Sequence, residues 1–330
     1  MQDTSQVYKD QLLTNVFLGY KQQGFVAEEI LPTLNVPDLT GVAFQLDETH
    51  LRAPAPGLSE RTGFARANRI NLNLSQVPYG PLREHSLEIG VTDLLRRVYR
   101  NNVLTPEINA TNAVSGQLLI EKEVAVRDQL TTAANFPSSN KVTLSGTSQF
   151  DNAASDPVAL ATTARRAVKL GCGNDANVVI MNPDVRDALR NNAAVKARIQ
   201  YASKLTRDEL DAQIADLLGV ERIIVASAVT TTQVEGSTTA GTKSYIWSDD
   251  MLFAYVTPAP ALETLSLGYL LRLDPANEVP NETGRPVFVG VDKWYEQSRK
   301  STFIRANDFY LPWTVASTAG YLVKDTLSTF

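Results

Sequence analysis

Residues 42–75 read VAFQLDETHLRAPAPGLSERTGFARANRINLNLS. Val42, Phe44 and Leu46 alternate with polar positions, and Ile70, Leu72 and Leu74 alternate with Asn71, Asn73 and Ser75. Each run predicts a strand with one apolar face. Between them lies a segment rich in Pro54, Pro56, Gly57 and Gly63, carrying Arg52, Arg61, Arg66 and Arg69. At roughly twenty residues without structure of its own, such a loop is uncommon in a compact domain and usually has a function. Two paired strands holding it make a long hairpin that projects from the body, with few apolar residues to build a core of its own.

Upstream, Leu12, Leu13, Val16, Phe17 and Tyr20 follow helical spacing and predict a short amphipathic helix. Residues 25–36 follow, in which Pro32 stops a helix and forces an extended path. This arm buries little of its own apolar surface and needs something else to lie on. Downstream, Thr105-Pro106-Glu107 is an N-cap with proline at the first helical position. The helix is expected to run to about Ala134, before Pro137, with Leu119, Val126, Leu130 and Ala133 on one face and Gln117, Glu121 and Asp128 on another. Glu123 and Arg127 stand four apart in the favourable order for an ion pair.

The middle of the chain alternates helix and strand. Asp156-Pro157 opens a helix expected to reach Leu170 and close at Gly171, and Asn182-Pro183 opens another. Thr206-Arg207-Asp208-Glu209 is a capping box ahead of Leu210, Ile214, Leu217 and Leu218, with Gly219 as stop. Val178 to Met181 and Ile223 to Val225 are short apolar strands, a pattern that packs helices on a small sheet. Residues 236–242 read as an exposed loop, and strands are expected at 245–247 and 251–256, then around 287–291, 302–305 and 321–323. No internal repeat and no linker divides the chain.

Composition narrows the function. A net charge of −5 argues against a protein that grips nucleic acid over a wide surface, which needs clustered Lys and Arg. One cysteine, Cys172, excludes an internal disulfide and a multi-cysteine metal site, and two histidines, His50 and His85, leave little for histidine catalysis. The start of the chain lacks the pattern of a signal peptide, and no apolar run approaches the roughly 20 residues that span a bilayer. The expected setting is therefore a cytoplasm, or something assembled there. Gly171-Cys172-Gly173-Asn174-Asp175-Ala176 matches a dinucleotide-loop pattern, but a helix is expected before it and a strand after it, the reverse of what phosphate binding needs. Asp249-Asp250 reads as a connecting turn rather than a cation site. No catalytic residue, metal or cofactor is expected.

Charge is unevenly spread. Residues 1–51 hold two Lys and seven acids, whereas residues 52–100 hold eight Arg and four acids. Ordinary solvation is one reading. The other is complementarity between neighbouring copies, with Arg52, Arg61, Arg66 and Arg69 meeting acidic surface, since the arginine fork suits carboxylates.

An arm, a projecting hairpin, a long helix, a helix-and-strand region and a final run of strands occur here in one order. That order resembles the Hong Kong 97-type major capsid proteins of tailed bacteriophages, and residues 27–36, with Ile30-Leu31-Pro32, resemble the arm of the lambda-type branch. Residues 177–225, and Ile246-Trp247 with Asp249, also resemble A-domain segments of these coats. The resemblance implies an α+β fold: N-arm 1–41, E-loop 42–80, P-domain 81–152 with a spine helix at about 106–134, A-domain 153–275, and return strands 276–330. It implies a non-enzymatic subunit of hexamers and pentamers, enclosing DNA without sequence-specific binding. Its partners would be a separate scaffolding protein, a portal and a decoration protein, and its place the virion assembled in the bacterial cytoplasm. Arg52, Arg61, Arg66, Arg69, Phe17, Leu31, Glu121 and Glu123 are the expected inter-subunit contacts. An encapsulin-type nanocompartment shell and a soluble α/β enzyme are the alternatives. One departure concerns covalent welding of the shell, which in the best-known member uses an E-loop lysine. No lysine occurs between Lys21 and Lys122.

Overall fold

The computed structural model describes residues 8–9, 24–46, 56–61, 63–64, 66–69, 74–98, 106–199, 207–233, 241–261, 264–274 and 290–328. In chain order the first elements are β1 (Tyr8–Lys9), α1 (Ala27–Ile30), β2 (Thr33–Val36), β3 (Gly41–Leu46), β4 (Leu74–Tyr79), β5 (Arg83–Thr92), α2 (Asp93–Val98) and α3 (Pro106–Thr131). Then come β6 (Lys141–Thr143), α4 (Pro157–Cys172), β7 (Val178–Met181), α5 (Pro183–Asn191), α6 (Ala193–Arg198) and α7 (Arg207–Leu218). The last are β8 (Arg222–Val225), β9 (Val229–Thr231), β10 (Lys243–Tyr245), β11 (Met251–Ala254), β12 (Gly268–Leu273), β13 (Gly290–Glu296), β14 (Ser301–Thr314) and β15 (Gly320–Lys324).

Two sheets organise them. One has the order β1-β13-β14-β12-β2, with β5 also paired to β14, and the other runs β6-β15-β11-β7-β8. β14 is the first sheet's backbone, because its 14 residues lie between β13 and β5 along Ser301–Asn307 and pair with β12 along Tyr310–Thr314. The second sheet is the helix-and-strand region. β7 and β11 are buried along their whole length, which is why they read as unbroken apolar runs. Val168 and Ala164 of α4 and Ile214 and Leu218 of α7 belong to the same core.

α3 joins the two regions. Its 26 residues span about 39 Å at 1.5 Å per residue. Ala110, Val114 and Leu118, in its first half, pack with Val91, Val291, Ile304 and Ala306 of the first sheet. Val126 and Leu130, in its second half, belong to the core of the second sheet. The predicted exposed face is present, with Gln117, Glu121 and Asp128 in solvent.

Four expectations change. Residues 24–36 are not a coreless arm: Val26, Ala27, Ile30 and Leu31 are in the main core, and β2 adds to β12 in parallel. The apolar surface that seemed to need a neighbour is covered by the subunit itself. The hairpin is real, with β3 and β4 antiparallel and Gly41 opposite Tyr79, but its inner face is the other one. Ala43 is 1% exposed while Val42 is 46% exposed. Ala43 and Tyr79 pack with Trp313 and Phe309, leaving Val42 outward. α4 runs two residues past Leu170 and is capped by Gly173, which takes the left-handed conformation with φ 78°. Gly171 lies inside the helix at a close approach, where a Cβ would come within 2.8 Å of Thr318. Finally, β12 pairs with β14, so Gly268–Leu273 belongs to the first sheet and not to the helix-and-strand region. Phe17, Arg52, His50 and Ile70 lie outside the described residues.

Candidate assembly surfaces and the charges beneath them

The hairpin is rooted and then uncovered. Leu82 N–H donates to the Leu39 carbonyl at 2.9 Å, closing its base, and Tyr79 stacks edge-on to Trp313 at 6.0 Å. Beyond the root, Asn68 Nδ2 donates to the Leu58 carbonyl at 2.6 Å and holds two sides of the loop together. Arg61, Arg66 and Arg69 are exposed there, and Phe64 is wholly in solvent. Exposed apolar side chains mark an interaction surface when they gather on one element, and Leu39, Val42 and Leu58 of the same hairpin are exposed as well.

A second uncovered surface was not anticipated. α2 buries none of its residues, and Leu94 is 73% exposed and Val98 66%. The signal was present in Asp93-Leu94-Leu95-Arg96-Arg97-Val98, with apolar residues at helical spacing between charges. This short helix is pinned at its base. Asp93 N–H donates to the Lys300 carbonyl at 3.0 Å, Tyr295 OH donates to Asp93 Oδ2 at 2.8 Å, and Arg96 pairs with Glu107 at 2.7 Å.

Beneath these surfaces lie charges turned inward. Glu123 is fully buried and accepts from Ala27 N–H at 2.9 Å, Val26 N–H at 3.1 Å and Trp247 Nε1–H at 2.6 Å. One carboxylate therefore ties residues 26–27, α3 and the segment before β11 together. Burial raises the Glu123 carboxyl above the ordinary carboxylate value, against the pull of the three donors. The expected Glu123–Arg127 pair does not form. Arg127 donates instead to the Ile246 carbonyl at 2.9 Å and pairs with Asp128 at 2.6 Å.

One position earlier, Lys122 is also buried and meets Asp308 of β14 at 2.8 Å. Arg272 of β12 reaches the other oxygen of Asp308, also at 2.8 Å. Burial alone would push the Asp308 carboxyl up. The Lys122 and Arg272 cations overcome this and leave it below the ordinary value. His85 Nδ1 lies 2.9 Å from Glu121 Oε1, and its ring stacks on Tyr310 at 4.1 Å.

The expected contact residues thus divide. Arg61, Arg66 and Arg69 are on the surface, as is Glu121, although Glu121 already has His85 as an intrachain partner. Leu31 and Glu123 are corrections: both are fully buried within the subunit, so neither is available to a neighbour. Asp249 and Asp250 form the expected turn, and with Asp325 they bring three carboxylates within 4.8 Å. They have protein partners, Lys324 Nζ on Asp250 at 3.1 Å and Leu327 N–H on Asp249 at 3.3 Å. Cys172 is buried at the C-terminal end of α4, where burial raises its thiol. No helix among the described residues is long and apolar enough to cross a membrane.

Comparison with known proteins places this geometry. The family described as phage major capsid protein E matches residues 83–313. A major capsid protein of Burkholderia phage BcepMu is 26% identical over 327 residues, covering 96% of this chain and 95% of that one. Among solved structures, a phage-related protein from Bordetella bronchiseptica RB50 superposes with a TM-score of 0.70 at 22% identity, over 96% of this chain and 97% of that one. The capsid of a native GTA particle has a TM-score of 0.56 at 14% identity, over 93% and 91% of the two chains. These likenesses give the Hong Kong 97-type capsid fold.

Proposed function

The chain belongs to the phage major capsid protein E family, and from that premise we propose that its hairpin and α2 are the surfaces through which copies build hexamers and pentamers of an icosahedral head. It is a major capsid protein, a structural component of the virion whose copies assemble into a shell. The finer reading rests on one observation. The hairpin packs its inner face on Trp313 and Phe309 but leaves Val42, Leu39 and Phe64 in solvent. Ordering a loop costs conformational entropy, and the exposed apolar side chains described on this hairpin gain no cover within the chain to offset it. Cover by an adjacent copy does.

On this reading residues 42–80 are the E-loop, and Arg61, Arg66 and Arg69, with Arg52 and Phe17, meet neighbouring subunits. The first sheet with α3 is the P-domain and the second sheet with α4 to α7 the A-domain. The pairing of β2 with β12 and of β12 with β14 supports counting both strands in the P-domain, with the N-arm shortened to residues before about 24. The chain acts as a structural subunit without catalysis. It encloses DNA without reading it, and is assembled in the host bacterial cytoplasm with a separate scaffolding protein, a portal and a decoration protein. Negative-stain imaging of purified protein is the test. Closed icosahedral particles are expected, and monomers or dimers alone under every salt condition would overturn the reading.

A further inference from the structure

Four of the exposed large apolar side chains, Leu39, Val42, Leu58 and Phe64, belong to the hairpin, and four, Leu94, Leu95, Val98 and Tyr295, lie at α2 and the adjoining strand. The two groups stand at opposite ends of β5. That strand starts just past the hairpin root at Leu82 and ends where α2 begins. Its ten residues separate them by about 33 Å.

Each end also carries an unspent charge, and the two are opposite. At the root, exposed Asp38 adjoins Leu39, and Val42 stands opposite exposed Pro78 in the hairpin register. Asp38 has no ion-pair partner among the described residues. On α2, Leu94, Arg97 and Val98 follow i, i+3, i+4 spacing and so share one face. Arg97 is exposed and likewise has no ion-pair partner among the described residues, whereas its neighbour Arg96 is held by Glu107. One end of β5 thus carries exposed apolar residues beside a cation, and the other carries them beside an anion, neither charge having an ion-pair partner among the described residues.

We propose that α2 of one copy seats on the hairpin root of the next, with Leu94 and Val98 against Leu39, Val42 and Pro78, and Arg97 beside Asp38. The contact joins two different patches and is therefore heterologous, the kind that closes into rings when the rotation allows. It rests on the capsid reading above and adds the partner surface for α2. The occupant is a second copy because both patches occur on every subunit of a shell built from this chain. Apolar contact supplies the attraction, and the charge pair fixes which patch meets which.

Charge reversal tests this in the system where the unmodified chain gives particles. D38R and R97D should each lower particle yield at least about tenfold, because like charges then face each other. The double variant D38R/R97D should restore it. A second measurement does not depend on those variants folding: the native Cys172 is buried, so V42C/V98C should give a ladder of disulfide-linked chains without reductant, and V42C or V98C alone should not. Undiminished particles from both single reversals, failure of the double to recover beside well-folded singles, or efficient dimers from V98C alone would each overturn the proposal. Absence of particles from the unmodified chain would remove the capsid reading and this contact together.

Discussion

At the hairpin, Val42, Leu39 and Phe64 lie in water and Arg61, Arg66 and Arg69 are exposed. At the middle of α3 the arrangement is reversed. Glu123 and Lys122 are sequestered, with each charged group met by partners from distant segments. The first region packs only its root, through Ala43 and Tyr79, and leaves apolar side chains uncovered, while the second turns its charges inside the subunit. On the proposed reading, the difference separates residues that make the subunit from residues that make the shell. It also explains why α3 holds its position: its charges are locked to β14, to Trp247 and to residues 26–27.

The largest effect should follow from emptying the locked region. Replacing Glu123 with alanine strands two backbone N–H groups and the Trp247 indole N–H in a site with no access to water. Orphaning buried partners of a charged group costs about 3–5 kcal/mol. Urea unfolding of the unassembled E123A subunit should show a loss of that order. E123Q keeps an acceptor and should lose only about 1–2 kcal/mol. If E123A unfolded like the parent, the junction would not hold the subunit together.

Next in size is Asp308, and its effect depends on pH. Its carboxyl is lower in the folded chain than in the unfolded one. Its contribution is therefore complete above the ordinary aspartate value and is lost as pH falls through the folded value. Glu123, raised in the folded state, acts with the opposite sign, so its own contribution declines as pH rises. D308N should cost about 2–4 kcal/mol at neutral pH, since it leaves Lys122 and Arg272 without their anion. It should also flatten the fall in stability on acidification. Parallel acid limbs in D308N and the parent would place the acid sensitivity elsewhere.

The two regions also differ in how much could be read beforehand. α3 was legible because its start is local: Thr105-Pro106-Glu107 marks it, and the structure runs Pro106–Thr131. α5 was legible for the same reason, with Asn182 capping Val185 N–H at 2.7 Å. The hairpin's pairing was legible but its polarity was not. Period-2 alternation says that residues 42 and 43 face opposite ways, and only the sheet beneath decides which way is in. Glu123 was read as a partner of Arg127 and an inter-subunit contact, and Lys122 was given no role, because their actual partners, Trp247 and Asp308, are far away in sequence. The inward course of residues 24–36 was missed because parallel pairing with β12 leaves no local mark. Leu94 and Val98 were readable as helical spacing and were passed over for want of length.

The hairpin should show a large effect on assembly and a small one on stability. Deleting residues 51–66 removes Arg61, Phe64 and Arg66 but leaves β3, β4 and the Tyr79–Trp313 contact in place. Surface changes of this kind stay within about 1 kcal/mol, because exposed pairs are worth little within one chain. The deletion variant should therefore keep its cooperative unfolding transition and form no correct shells. Loss of that transition would move the loop into the locked class.

The smallest expected effect is none at all, and it concerns covalent chemistry. An isopeptide weld joins a lysine amine to an asparagine side chain and needs the amine neutral, as burial can arrange. Between Lys21 and Lys122 the chain has no lysine, so its hairpin offers only arginine, which stays protonated and cannot attack an amide. Lys122, the first lysine past the hairpin, is itself committed, with Asp308 at 2.8 Å and Tyr310 beneath its ammonium at 5.1 Å. Asn68 is likewise engaged, donating to the Leu58 carbonyl. On the proposed reading, cohesion of the shell rests on non-covalent cover of the hairpin and α2. Particles boiled in detergent should give one band near the 36.1 kDa chain mass. A ladder that survives detergent and reductant would show that the uncovered region carries a bond-forming partner as well as a docking surface.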